Sequence, residues 1–190
     1  MPELFGEKLR RLRRQHNLSQ ARLAEQLALA SHSHIGKLET RQDTPSLALV
    51  LRIALRFEVS TDYLLRDTVA VDDIIPFPAD RPDQDGERQI DGQPIGVAEY
   101  YPGYVVWPPA LFSSKLRALR LQHRLTQEEL MRRLGLARQS HISSLEAGRK
   151  APSIDLIVRI ADLFGVTTDE LLRDTIAVGQ GAPSRDGEIP

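Results

Sequence analysis

Residues 4–27 read LFGEKLRRLRRQHNLSQARLAEQL, and residues 111–134 read LFSSKLRALRLQHRLTQEELMRRL. They open an ungapped correspondence between residues 4–71 and 111–178 at a constant offset of 107, with roughly half of the positions identical. A repeat this long is a whole small domain, whereas a stacked solenoid element has only about 20–50 residues. The 190-residue chain therefore reads as two similar modules, 4–71 and 111–176, separated by a stretch at 72–110 and followed by a tail at 177–190.

Each module is small, so its core is modest. The chain has no cysteine and no metal-ligand spacing, which leaves helix packing as the source of stability and fits a reducing cytoplasm. An N-terminal apolar export segment and a long apolar run are both lacking, so neither secretion nor membrane insertion is expected. The net charge of −1 averages unlike parts. Residues 4–68 hold 11 basic against 7 acidic side chains and residues 111–175 hold 11 against 8, while 69–110 hold 2 against 8. Two basic modules flank an acidic stretch, an asymmetry that suits a nucleic-acid partner and also suits plain solvated surface.

The apolar spacing predicts five short helices per module. Leu9, Leu12 and Leu18 form a narrow stripe among Lys8, Arg10, Arg11, Arg13 and Arg14, which read as a basic outer face. Ser19 and Thr126 offer N-caps to a second helix carrying Leu23 and Leu27, or Leu130 and Leu134. A break at 28–30 or 135–137 leads to a third helix with Ile35 and Leu38, or Ile142 and Leu145, facing inward. Pro45-Ser46 and Pro152-Ser153 open a fourth helix, and a fifth holds Leu64-Leu65 or Leu171-Leu172. His16 and His123 end the first helix, where a cation complements the dipole. Between the modules, seven prolines among acids and glycines favour an extended or disordered linker. Its end concentrates Tyr100, Tyr101, Tyr104 and Trp107, which read as packing on the second module or as contacts with a homodimer mate or other protein partner. The Gly/Pro/Ser-rich tail reads as mobile.

The arrangement Ser19-Gln20-x-x-Leu23-Ala24, break, Ile35-x-x-Leu38-Glu39 resembles the helix-turn-helix of the Cro/C1 (XRE) family, the group of lambda repressor and Cro. The second copy, TQEELMRRLGLARQSHISSLEAGRK, matches better, and the resemblance covers about 70 per cent of the chain. It implies an all-α fold of two lambda repressor-like five-helix domains joined by a Pro-rich acidic linker. It also implies sequence-specific binding of double-stranded DNA, with one helix in the major groove and the preceding helix against phosphates. On that resemblance Gln20 and Gln127 would hold the DNA backbone. His32, Ser33 and Lys37 in the first copy, and Gln139, Ser140 and Ser144 in the second, would face bases. His34 and His141 would add a phosphate or base contact, and Arg149 and Lys150 would anchor phosphates. Arg13 with Glu39, and Arg120 with Glu146, would be structural salt bridges.

The copies differ where DNA would lie. The first reads Thr40-Arg41-Gln42-Asp43 against Ala147-Gly148-Arg149-Lys150, and Asp43 repels phosphate. Gly36 weakens its third helix by roughly 1 kcal/mol relative to alanine. The expected function is a cytoplasmic transcriptional regulator, read as a repressor, without a cofactor. The competing reading is an antitoxin-like adaptor in which only the second module binds DNA. A nucleophile–base constellation, a phosphate-binding glycine loop and a metal cluster are all lacking from the sequence, so enzymatic activity is not expected.

Overall fold

In the computed structural model, residues 2–75, 111–173 and 178 are described. The Pro-rich stretch from Pro76 to Ala110, with Tyr100, Tyr101, Tyr104 and Trp107, and the tail 179–190 lie outside the described residues, as do the expectations attached to them. Within the described residues the fold is helical and repeats five for five. The first module runs α1 (Phe5–Gln15), α2 (Gln20–Gln26), α3 (His32–Glu39), α4 (Leu47–Phe57) and α5 (Thr61–Leu65). The second runs α6 (Phe112–Gln122), α7 (Gln127–Arg133), α8 (Gln139–Glu146), α9 (Ile154–Phe164) and α10 (Thr168–Leu172).

The helices begin where hydroxyls stand ready. Ser19 Oγ accepts from Arg22 N at 3.1 Å, Ser46 Oγ from Leu49 N at 3.2 Å and Ser60 Oγ from Tyr63 N at 3.0 Å. Each satisfies one N–H that the first turn leaves without an intrahelical partner. In the second module Thr126 and Thr167 do the same within full capping boxes, with Glu129 and Glu170 bonding back to the cap N–H. Pro45 does not occupy the first turn of α4; it precedes the cap Ser46, and Leu47 is the first helical residue.

The predicted stripes form the cores. In the first module Phe5, Leu9, Leu23, Leu27, Ile35, Leu38 and Ile53 are fully buried, so α1, α2, α3 and α4 share one apolar centre. Phe112, Leu116, Leu130, Leu134, Ile142, Leu145 and Ile160 repeat it. His16 and His123 close the ends of α1 and α6 by ring packing, at 5.1 Å from Phe57 and 5.0 Å from Phe164, so aromatic contact with α4 and α9 accounts for them better than the helix dipole alone.

Lys8 departs from the sequence reading. It is completely buried rather than part of a basic outer face, and its Nζ donates to Arg66 O at 2.7 Å while lying 5.1 Å from the Tyr63 ring centroid. Lys115 repeats the arrangement, donating to Glu170 O at 2.6 Å and also to Arg173 O. In both modules the lysine carries a charge to carbonyls at the end of the fifth helix, which no helical N–H can reach. Desolvation lowers the Lys8 pKa, partly offset by the nearby Asp67 carboxylate. Asp67 in turn accepts from Glu3 N and Leu4 N, each at 2.8 Å, and so caps α1 from the far end of its module.

The acidic segment after α5 is fastened to the first module up to Ile75. Tyr63 Oη donates to Val71 O at 2.8 Å, Ser60 N donates to Ile75 O at 2.9 Å, and Arg11 pairs with Asp72.

Four turns use left-handed backbone at matching places, and the copies fill them differently. Asn17 and Arg124 follow the first helix in each, but Ala28, Arg41 and Glu58 stand where the second module has Gly135, Gly148 and Gly165. A non-glycine residue in this region costs roughly 1–2 kcal/mol. Replacing Ala28, whose φ is 48°, by glycine should therefore stabilise the first module by up to about 1 kcal/mol, read as slower amide exchange across α1–α4 in the full chain. Gly6→Ala should do the reverse by about 1–3 kcal/mol. Its Cβ would lie 2.6 Å from Leu38 O and 2.9 Å from Glu39 O, backbone atoms at the end of α3 that cannot move aside alone.

Candidate nucleic-acid interface

The second and third helices of each module are locked by a three-residue network. Arg13, on α1, donates from Nε to Glu39 Oε1 at 2.6 Å and from Nη2 to Glu39 Oε2 at 3.0 Å. Its Nη1 reaches Leu18 O, in the turn before α2, at 2.8 Å. Gln20, the first residue of α2, donates Nε2 to Glu39 Oε2 at 2.9 Å. One carboxylate at the end of α3 thus holds α1 and α2 together, and a bidentate guanidinium fixes its orientation.

Arg120, Glu146 and Gln127 repeat this with Arg–Glu contacts of 2.6 and 3.1 Å, an Arg120 bond to Leu125 O at 2.9 Å and a glutamine bond at 2.9 Å. The ion-pairing side chains are only 12% and 3% exposed in the first module and 11% and 6% in the second. Hydrogen bonding to the carboxylate raises the pKa of Arg13 and Arg120 above the ordinary arginine value, against the opposing effect of burial. The Gln20 and Gln127 amides, expected to hold the DNA backbone, donate inward because a buried carboxylate with an unused lone pair is the stronger acceptor within reach. A further arginine closes each second helix, Arg52 Nη1 reaching Leu27 O and Arg159 Nη1 reaching Leu134 O, both at 2.7 Å.

With α2 and α3 fixed, the side chains predicted to face bases lie on one helix in each module. His32, Ser33 and Lys37 are exposed on α3; Gln139 and Ser140 are exposed at the start of α8, and Ser144 is half-buried one turn on. Arg149 and Lys150 are exposed just beyond α8. A short helix held from behind by an ion pair, with polar side chains at its outer N-terminal end and cations after it, has the form that enters a major groove.

The comparisons agree with that geometry. A family model described as helix-turn-helix matches residues 116–171, and one described as helix-turn-helix domain matches residues 4–65. An uncharacterised HTH-type transcriptional regulator of Methanocaldococcus jannaschii is 41% identical over 58 residues, 30% of this chain and 86% of the relative. The chain belongs to the XRE-type helix-turn-helix regulators. The cryptic phage CTXphi transcriptional repressor RstR of Vibrio cholerae is 32% identical over 65 residues, which cover 34% of this regulator but only 58% of RstR. The HTH-type transcriptional activator BcrR of Enterococcus faecalis is 41% identical over 61 residues, 32% of the regulator and 29% of BcrR. Each of these alignments is about as long as one module. No solved structure shows a significant match.

The regulator's two modules present different surfaces. In the first, Ser33 Oγ is 2.8 Å from Ser31 Oγ, His34 Nε2 is 3.5 Å from Asp43 Oδ2, and Arg41 pairs with Glu7 at 2.9 Å. In the second, Lys150 replaces Asp43 beside the histidine. Burial, and then the Lys150 charge, lower the His141 pKa, which favours its neutral imidazole form. Arg138, absent from the sequence-based set, stands at the N-cap of α8, exposed and making no side-chain cap bond. The signal was its alignment with Ser31, which does cap α3 by accepting from Ser33 N at 3.2 Å. Among the described residues no group of three or more His, Asp or Glu is placed to hold a metal, and no helix is long and apolar enough to cross a membrane.

The network has a pH signature. Burial works to raise the Glu146 pKa, but the hydrogen bonds from Arg120 and Gln127 and the charges of Arg120 and Arg117 outweigh it, leaving the carboxyl below its ordinary value. A carboxyl depressed on folding contributes stability that is complete above its unfolded pKa of about 4.3 and is lost as pH falls through the folded value. Glu146→Gln should cost the second module about 3 kcal/mol at pH 7, and the gap from wild type should narrow below about pH 4 in denaturant titrations. A gap independent of pH would contradict the assignment.

Proposed function

We propose that this regulator binds double-stranded DNA sequence-specifically, with α8 of the second module as its principal reader. The observation that carries this reading is the state of the predicted contact residues. Gln139, Ser140, Arg149 and Lys150 have no side-chain hydrogen-bond or ion-pair partner among the described residues, whereas Ser33 and His34 of the first module are engaged within it. Gln139 suits bidentate pairing with adenine, Ser140 and Ser144 suit less selective contacts, and Arg149 and Lys150 suit phosphates. His32, Ser33, His34 and Lys37 form the weaker second reader, since Asp43 beside them repels the DNA backbone.

The two modules would occupy unlike half-sites. About 35 residues between Ile75 and Leu111, treated as a coil, have a root-mean-square span of about 33 Å, close to the roughly 34–36 Å between half-sites one helical turn apart. Repression is the proposed outcome, because a domain seated in the groove excludes other proteins from the same base pairs. Such a protein would act in the cytoplasm, where the DNA is. For a homodimer or a protein partner, Tyr100, Tyr101, Tyr104 and Trp107 are the proposed contacts, since they concentrate aromatic surface in one short run.

Selection of bound DNA from a random pool by the full chain tests the reading. Two half-sites at fixed spacing should be enriched, the stronger lost in a Gln139→Ala, Ser140→Ala variant and the weaker in a His32→Ala, Ser33→Ala variant. Arg149→Ala with Lys150→Ala should reduce the slope of log affinity against log salt by about 2. A single half-site, bound only through the second module, would favour the adaptor reading. No enrichment would overturn DNA reading altogether.

A further inference from the structure

We infer that Arg138 is a specificity-determining residue that selects a guanine next to the base read by Gln139. The inference rests on the second module being a DNA reader, as proposed above, and extends it to a residue and a base. Position 138 is the N-cap of α8, with φ −141° and ψ 131°, so its side chain leaves an extended backbone while Gln139 is the first residue of the helix. Neighbouring side chains on two kinds of backbone diverge, which suits adjacent base pairs rather than one.

The structure leaves the Arg138 guanidinium uncommitted. It is exposed, makes no cap bond, and has no ion-pair or hydrogen-bond partner among the described residues. An arginine in place of a capping serine gives up local helix stability, since a side-chain oxygen at this position satisfies a first-turn N–H that arginine cannot. The first module shows the alternative: Ser31 at the matching position accepts from Ser33 N at 3.2 Å and touches Ser33 Oγ at 2.8 Å, so its polar atom is held within its own helix. Arg149 and Lys150 provide cations at the opposite end of α8, leaving a guanidinium at the groove-entering end to address base edges. The planar fork of arginine matches guanine O6 and N7 bidentately, whereas serine addresses bases without such preference.

The test separates base reading from phosphate contact. In DNA selection with the full chain, wild type should enrich a guanine beside the adenine assigned to Gln139. Arg138→Ser should lose preference at that one position, by about tenfold to a hundredfold against other bases, while the rest of the site is still enriched. Arg138→Lys should keep only part of the guanine preference, because an ammonium can still donate to O6 or N7 but lacks the planar fork. Ser31→Arg should create a new guanine preference in the half-site of the first module. A uniform loss of affinity for all sequences in Arg138→Ser, with the salt slope reduced by about one and rescue by Arg138→Lys, would make Arg138 a phosphate contact and overturn the assignment. Unchanged preference in Arg138→Ser would overturn it as well. If wild type enriches nothing, the DNA-reading proposal fails first and this inference falls with it.

Discussion

A carboxylate at the end of the third helix holds each module in its working form. Glu39 and Glu146 each accept a bidentate arginine from the first helix and a glutamine amide from the start of the second. The same arginine also holds the carbonyl that leads into the second helix. Three helices are thereby oriented by one nearly buried charge pair. Apolar packing alone would bring these helices together without specifying their rotation, because it is non-directional. The ion pair is directional, and a partner removed from it leaves a buried charge, so the arrangement is all or nothing.

With the scaffold secured in this way, the two copies differ in the surfaces around it. The buried leucines, the lysine that closes the fifth helix, the arginine that closes the second and the Arg–Glu–Gln network all recur at the same offset. The turns and outer faces do not. The second module has glycine at three left-handed turns and two full capping boxes, so its local preferences agree with its fold. The first holds Ala28, Arg41 and Glu58 in the same backbone conformation and binds several of its polar side chains internally. Its surface is partly closed on itself, while that of the second is open at Arg138, Gln139, Arg149 and Lys150.

The repeat, the five helices and most of the core could be read from the sequence, since apolar spacing and cap hydroxyls are local signals. The Arg–Glu pairs came through resemblance, and the structure bears them out. Lys8 could not be read correctly: it shares its helix with four arginines, and only the carbonyl of Arg66, 58 residues away, explains why a lysine is buried there. Gln20 and Gln127 are hard to read for a similar reason, as an amide at a helix start is ambiguous until Glu39 or Glu146 is seen beside it. Arg138 escaped notice because a long cation at an N-cap carries no pattern of its own.

The sequence by itself therefore determined that there are two modules, that each is built of five helices and which residues form the core, because these depend on spacing along the chain. The tertiary structure decided which polar side chains are spent inside and which remain for a partner. A polar group bonds first to whichever partner lies nearest in space, and for Gln20, Lys8, Ser33 and His34 that partner is supplied by the fold.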